Sequence, residues 1–168
     1  MKWVLFTGTF RLTDKRVEAD VREAVREVIA RGDGVLTGGA TGVDYFAMDE
    51  AFRLDPTCAH LKVIIPADLE SYIEDNRANG VLFPLTMRDI DNLARLLWAI
   101  KRANPRNLVE MPYTTITQEH YDLRDREEVR AAQEVYAFQV NGSTGTQDTI
   151  RKAVANGIKI SLHKQYRI

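Results

Sequence analysis

The sequence predicts an α/β protein: a Rossmann-like, mainly parallel open sheet flanked by helices. Three observations carry this. Short continuous apolar runs read as strands buried on both faces, helical stripes alternate with them, and each run ends in glycine or small polar residues. Right-handed crossovers then place every strand-to-helix loop on one edge of the sheet, the edge where ligands of such sheets bind.

The elements follow in chain order. Trp3 to Thr7 is the first apolar run and stops at Gly8. From Thr13 the period changes, and Val17, Val21, Ala24, Val25, Val28 and Ile29 form one helical stripe, with Thr13 as the expected N-cap and Gly32 as the expected C-cap. Val35-Leu36-Thr37 is a second strand running into a glycine-rich loop, after which Val43, Phe46, Ala47, Ala51 and Leu54 make another stripe. Leu61 to Ile65 is a third run, stopped by Pro66, and Val135 to Val140 a fourth. A helix from about Gln147 to Asn156 and a strand from about Ile158 to Leu162 close the pattern, giving five or more strands. Between Pro66 and Thr117 the regularity fails except for a helix over Thr86 to Arg102, striped by Ile90, Leu93, Leu97 and Ile100. That stripe reads first as a packing face, with a partner or lid contact as the alternative.

Length and composition bound the rest. A chain of 168 residues with 45% apolar and 28% charged residues is expected to form one domain, 1–168, with residues 68–112 as an insertion. The net charge of −1 gives no global field for nucleic acid or membrane, so neither partner is expected and any such contact must be local. A single cysteine, Cys58, excludes an internal disulfide, and His60, His120 and His163 lack metal-ligand spacing, so no metal is expected. The apolar stretch near Met1 is too short for a signal peptide or a membrane span, and a cytoplasmic protein is expected.

Two loops carry the candidate chemistry. In Gly38-Gly39-Ala40-Thr41-Gly42-Val43-Asp44, three glycines between strand and helix allow close approach of a ligand to backbone amides, and a tight turn for helix–sheet packing is the competing reading. In Asn141-Gly142-Ser143-Thr144-Gly145-Thr146, hydroxyls and amides converge at another helix start. At the end of the first strand, Gly8-Thr9-Phe10-Arg11 offers an arginine for a phosphate and an aromatic ring for a base, though a solvated Arg11 and a buried Phe10 fit equally well. Neither GxGxxG nor GxxxxGK[ST] occurs, so neither a standard dinucleotide site nor a P-loop is supported, and no cofactor is expected.

Val4-Leu5-Phe6-Thr7-Gly8-Thr9-Phe10-Arg11, the loop Thr37 to Asp44, and Ala137-Phe138 leading into Gly142-Ser143-Thr144-Gly145-Thr146 together resemble the SLOG superfamily of Rossmann-like proteins. That group includes LONELY GUY phosphoribohydrolases, the DNA-processing protein A fold and ligand-sensing domains. The resemblance implies a nucleotide-like ligand, its phosphate on Gly142, Ser143, Gly145 and Thr146, and a homodimer or higher oligomer. It aligns the group's upstream arginine with Arg126 or Arg124, which also sit in a charge-rich run, Asp122 to Arg130, that a solvated helix face would explain. In the phosphoribohydrolases the loop reads P-G-G-x-G-T-x-x-E; here Asn141 replaces the proline, Ser143 a glycine and Thr149 the glutamate. Asp148, Asp44 and Glu127 are the remaining acid–base candidates for hydrolysis of an N-glycosidic bond. Without that reaction the same pocket reads as a sensor of a signalling nucleotide, and binding of single-stranded DNA is the remaining alternative.

Overall fold

The computed structural model describes residues 1–168. Six parallel strands form one sheet in the order β4-β3-β2-β1-β5-β6. The strands are β1 (Trp3–Gly8), β2 (Gly34–Thr37), β3 (Leu61–Ile65), β4 (Leu108–Glu110), β5 (Glu134–Val140) and β6 (Lys159–Tyr166), and the helices are α1 (Lys15–Ala30), α2 (Val43–Leu54), α3 (Leu69–Asn79), α4 (Met87–Ala103), α5 (Gln118–Ala131) and α6 (Thr144–Ala155). The chain steps outward from β1 to β4, then returns to pair β5 with the other side of β1. The β1/β5 boundary is therefore the topological switch point, where the loops that leave the strand ends diverge and open a crevice.

The continuous apolar runs explain why the sheet is covered on both faces. Val4 and Phe6 of β1 and Tyr136, Phe138 and Val140 of β5 pack with α1, α2 and α4, whereas Leu5, Val135 and Ala137 point the other way onto Val129 of α5 and Ile150 of α6. β6 alternates exposed and half-buried positions, as suits an edge strand carrying Lys159 and Lys164. The stripe Ile90, Leu93, Leu97 and Ile100 is buried inside this chain, so it is a packing face and no partner surface.

Several boundaries differ from those the sequence suggests. Asp14, not Thr13, caps α1, its carboxylate accepting from the amides of Arg16 (2.9 Å) and Val17 (3.0 Å). Gly32 lies just beyond the helix at φ +83°, the left-handed turn expected after a C-terminus. α6 starts at Thr144, one turn earlier than its apolar stripe, and β6 runs four residues past Leu162. Residues 68–112 contain α3, α4 and the short edge strand β4, which pairs with β3 through Val63–Leu108 and Ile65–Glu110. No helix is long and apolar enough to cross a membrane. Cys58 is buried, and burial pushes its thiol up to about 11, far from the reactive thiolate range.

Candidate functional site at the sheet edge

The loop after β1 and the loop after β2 are tied to each other. Thr41 Oγ1 donates to the Phe10 carbonyl at 2.7 Å, and the Val43 amide donates to the Thr9 carbonyl at 3.0 Å. Gly42 has φ +71°, and a Cβ there would lie 2.3 Å from the Thr9 carbonyl oxygen, so the two backbones meet only because this residue has no side chain. Gly38 serves a different neighbour: a Cβ would fall 2.5 Å from the Arg124 guanidinium and 2.6 Å from the Glu128 carboxylate. The glycines of this loop thus make room for protein. Those of the second loop do not, since a Cβ at Gly142 or Gly145 would meet nothing within 4 Å.

Beneath Gly38 lies a charged cluster built on one face of α5. Arg124 donates from Nη1 to the Gly38 carbonyl at 2.7 Å and from Nε to Asp125 at 3.0 Å, with Glu128 at 3.8 Å and the Tyr121 ring 5.3 Å below. Burial alone would lower the pKa of Arg124, but Glu128 and Asp125 outweigh it and hold the guanidinium firmly charged. Burial raises Glu128 well above the usual carboxylate range, against the pull of Arg124. Asp44, in the first turn of α2, is pushed up to about 6 by burial, against the opposing pull of Arg124 and of the amides of Ala40 (3.2 Å) and Gly38. It is thereby poised to exchange a proton near neutral pH. Tyr72 of α3 closes the site from above, its hydroxyl donating to the Gly39 carbonyl at 3.1 Å.

The second loop is organised by a buried amide. Gln139 Nε2 donates to the Ser143 carbonyl at 3.0 Å, while its Oε1 pairs with His163 Nε2 (2.9 Å) and Gln165 Nε2 (3.3 Å) on β6. Asn141, at φ +48°, is tied to the chain end through Tyr166 and Ile168. Whereas α1, α3, α4 and α5 have side-chain N-caps, α2 and α6 have none, so the first-turn amides of α6 have no side-chain acceptor. The Thr146 hydroxyl is buried and turned to Ser143 Oγ at 3.3 Å. A cavity of about 300 Å³ lies on the β6 side of this loop, lined by Asn141, Gly142, Gln165, Tyr166 and Arg167.

The structure thus brings Gly8, Thr9, Phe10, Gly38 to Asp44 and Asn141 to Thr146 to one edge, on three adjacent strand ends. Phe10 is half-exposed and Arg11 exposed beside them, which resolves the alternative of a buried Phe10. Arg124 is committed to Gly38, whereas Arg126 is exposed on α5 and free of such ties. Asp148 pairs with Lys152 at 2.6 Å, and the same ammonium is shared with Asp125 (3.5 Å), which also pairs with Arg124, and with Asp122 (3.8 Å). Glu127 pairs with Arg130 on the outer side of α5. Glu128, Gln139, Tyr72, Lys152 and Arg167 were not singled out by sequence. An i, i+4 spacing ties Arg124 to Glu128, but only the fold shows that this pair faces Gly38.

No family model matches the chain, and no curated protein matches it in sequence. Solved structures match in fold. DNA processing protein A from Helicobacter pylori, described for its single-stranded DNA binding mode, superposes with a TM-score of 0.65 at 17% identity, over 99% of this chain and 64% of that one. The fold shared with this chain is a Rossmann-like α/β fold. The structural-genomics target TM1055 superposes with a TM-score of 0.55 at 17% identity, over 95% of this chain and 72% of that one. This chain therefore spans just under two thirds of the Helicobacter protein, and at such identities the likeness is one of fold.

Proposed function

We propose that the chain binds a nucleotide or nucleotide-derived small molecule at the C-terminal edge of the sheet. The phosphate would rest on the amides of Gly142 to Thr146, and the sugar and base would lie toward Thr9, Phe10, Arg11 and the 38–44 loop. The observation that carries this reading is the uncapped start of α6 beside the β1/β5 switch point, with open space at Gly142 and Gly145. Free amides and the positive end of the helix dipole favour an anion there. Arg126 is the free arginine on α5, and Arg167 adds a guanidinium beside Gly142.

In its catalytic form the reaction is hydrolysis of the N-glycosidic bond of a nucleoside monophosphate. Water adds at C1′ of the sugar, the bond to the base breaks, and a proton passes from the water to the base, leaving ribose 5-phosphate and free base. Asp44 is the acid–base candidate, because its carboxyl stands near pH 6 and lies in the loop itself. A second reading, capture without conversion by a sensor of a signalling nucleotide, is favoured by the state of the other carboxylates. Asp148 and Glu127 are held in ion pairs, and Thr149, in the place of a glutamate, donates its hydroxyl to the Gly145 carbonyl at 3.3 Å. The single-stranded DNA binding described for the Helicobacter protein is the third reading, against which the net charge of −1 weighs. A homo-oligomer in a cytoplasmic setting completes the proposal, and light scattering at micromolar concentration tests the assembly. Calorimetric titration with nucleoside monophosphates and the matching nucleosides tests the site: tighter binding of the phosphorylated form is expected, and equal affinity would overturn it. Chromatography of the mixtures then separates enzyme from sensor by the presence or absence of free base.

A further inference from the structure

The outer face of α3 and α4 lies apart from the sheet-edge site. One side of α4 is buried; the other carries Arg88, Asp91, Arg95, Trp98 and Arg102 at steps of three and four residues. With Arg77 of α3 they line a groove of about 650 Å³. Four guanidinium groups there meet one carboxylate, in a chain whose net charge is −1, so positive charge is concentrated on this face. Arg77 reaches Asp91 only at 3.6 Å, with both side chains about half exposed. Trp98 is exposed within the groove, with the Lys101 ammonium 5.4 Å from its ring. The loop joining α3 to α4 connects the ends that carry Arg77 and Arg88, and it is apolar and bare: Val81 and Leu82 are more than 40% exposed, and Phe83 is 90% exposed.

We propose that this face docks an acidic, amphipathic segment of a partner protein. Its carboxylates would pair with Arg77, Arg88, Arg95 and Arg102, and its apolar side chains would cover Trp98, Leu82 and Phe83. Arginine and large aromatic residues dominate the binding energy of protein interfaces, and a contiguous exposed apolar patch marks a contact surface. A single-stranded nucleic acid would use the arginines and stack on Trp98, but it would leave the apolar loop uncovered. A second copy docked by the same face about a two-fold axis would oppose arginine to arginine. The charge balance and the apolar loop together select the acidic protein segment.

Fluorescence anisotropy tests this with a labelled synthetic peptide rich in glutamate, carrying Leu and Phe at every third or fourth position. Polyglutamate of equal charge and oligothymidylate serve as controls. The peptide is expected to bind the intact chain, and Arg95→Glu and Phe83→Ser are each expected to weaken it by about tenfold or more, as loss of an interface hot spot does. Polyglutamate should bind about tenfold more weakly than the peptide, for want of apolar contacts. Both substituted positions are exposed, and neither variant should change nucleotide affinity at the sheet edge, which keeps the two proposals separable. Absence of peptide binding at millimolar concentration, or binding that both variants leave intact, would overturn the proposal. Tighter binding of oligothymidylate that ignores Phe83→Ser would assign the groove to nucleic acid instead. A dimer that Phe83→Ser converts to monomer would assign it to a second copy.

Discussion

Arg124 and Arg126 are two residues apart and do different work. Arg124 is nearly enclosed and holds Gly38, Asp125 and Glu128 together, so its removal leaves the Gly38 carbonyl without its donor and Asp125 without its nearest countercharge. Arg124→Ala is therefore expected to destabilise the fold by about 3 to 5 kcal/mol. Chemical denaturation checks this, and the double variant with Glu128→Gln should recover part of the loss only at alkaline pH, where Glu128 would otherwise ionise without Arg124 beside it. Arg126→Ala should leave stability within about 0.5 kcal/mol, as an exposed side chain without partners does. It should weaken binding of a nucleoside monophosphate by about tenfold or more in calorimetry, as loss of a charged hydrogen bond to phosphate does. Undiminished affinity in Arg126→Ala would pass the phosphate contact to Arg167, whose own alanine variant makes the comparison complete.

At the scale of the element, the two glycine loops look alike in sequence and behave differently in space. Gly42→Ala should destabilise by more than about 1 kcal/mol, since it combines a left-handed backbone with a clash against Thr9. Gly145 sits in the first turn of α6 with room around it, so Gly145→Ala should stabilise the chain by up to about 1 kcal/mol through helix propensity. The same methyl would stand where the proposed phosphate lies, and affinity should fall while stability rises; a variant that binds as well as the parent would remove Gly145 from the site. Strands β1, β2, β3 and β5 were legible because strands covered on both faces need unbroken apolar runs. The stripe of α4 was legible for a different reason, the spacing of three and four residues that one buried helix face imposes. By contrast, β4 is only three residues long, α3 buries only Leu69, Tyr72 and Ile73, and α5 buries only Glu128 and Val129, so none of them presents a strong period. The early start of α6 was hidden because glycine and hydroxyl residues fill its first turn. The loops of the site could be read from their glycines; the salt-bridged floor beneath them could not, because Arg124 and Glu128 are ordinary residues until α5 lies across the end of β2.

Across the whole molecule, the carboxylates divide into two groups whose titrations pull stability in opposite directions. Asp14, Asp20, Asp33, Asp55, Asp68, Glu50 and Glu134 are held below their usual range by caps and ion pairs, Asp55 down to about 2. Their stabilisation is present above the unfolded carboxylate range and is lost as the pH falls below it. Asp44 and Glu128 behave oppositely, because burial raises both. The stabilisation from a protonated Asp44 is complete below its unfolded value of 3.8 and is lost as the pH rises through about 6. Thermal stability should therefore peak at mildly acidic pH, with its alkaline flank set by the cluster under Gly38. Melting temperatures measured from pH 3 to pH 8 are expected to show that maximum. Asp44→Asn carries no charge at any pH, so it should match the parent near pH 4 and exceed it near pH 7.5, flattening the alkaline flank. Calorimetric titration of the same variant with a nucleoside monophosphate separates its two roles: retained affinity with loss of free base would make Asp44 the proton-transfer group. A parent stability that climbs steadily to pH 8 would show that Asp44 and Glu128 ionise without cost, and the raised pKa of Asp44 could then no longer support its role as acid–base.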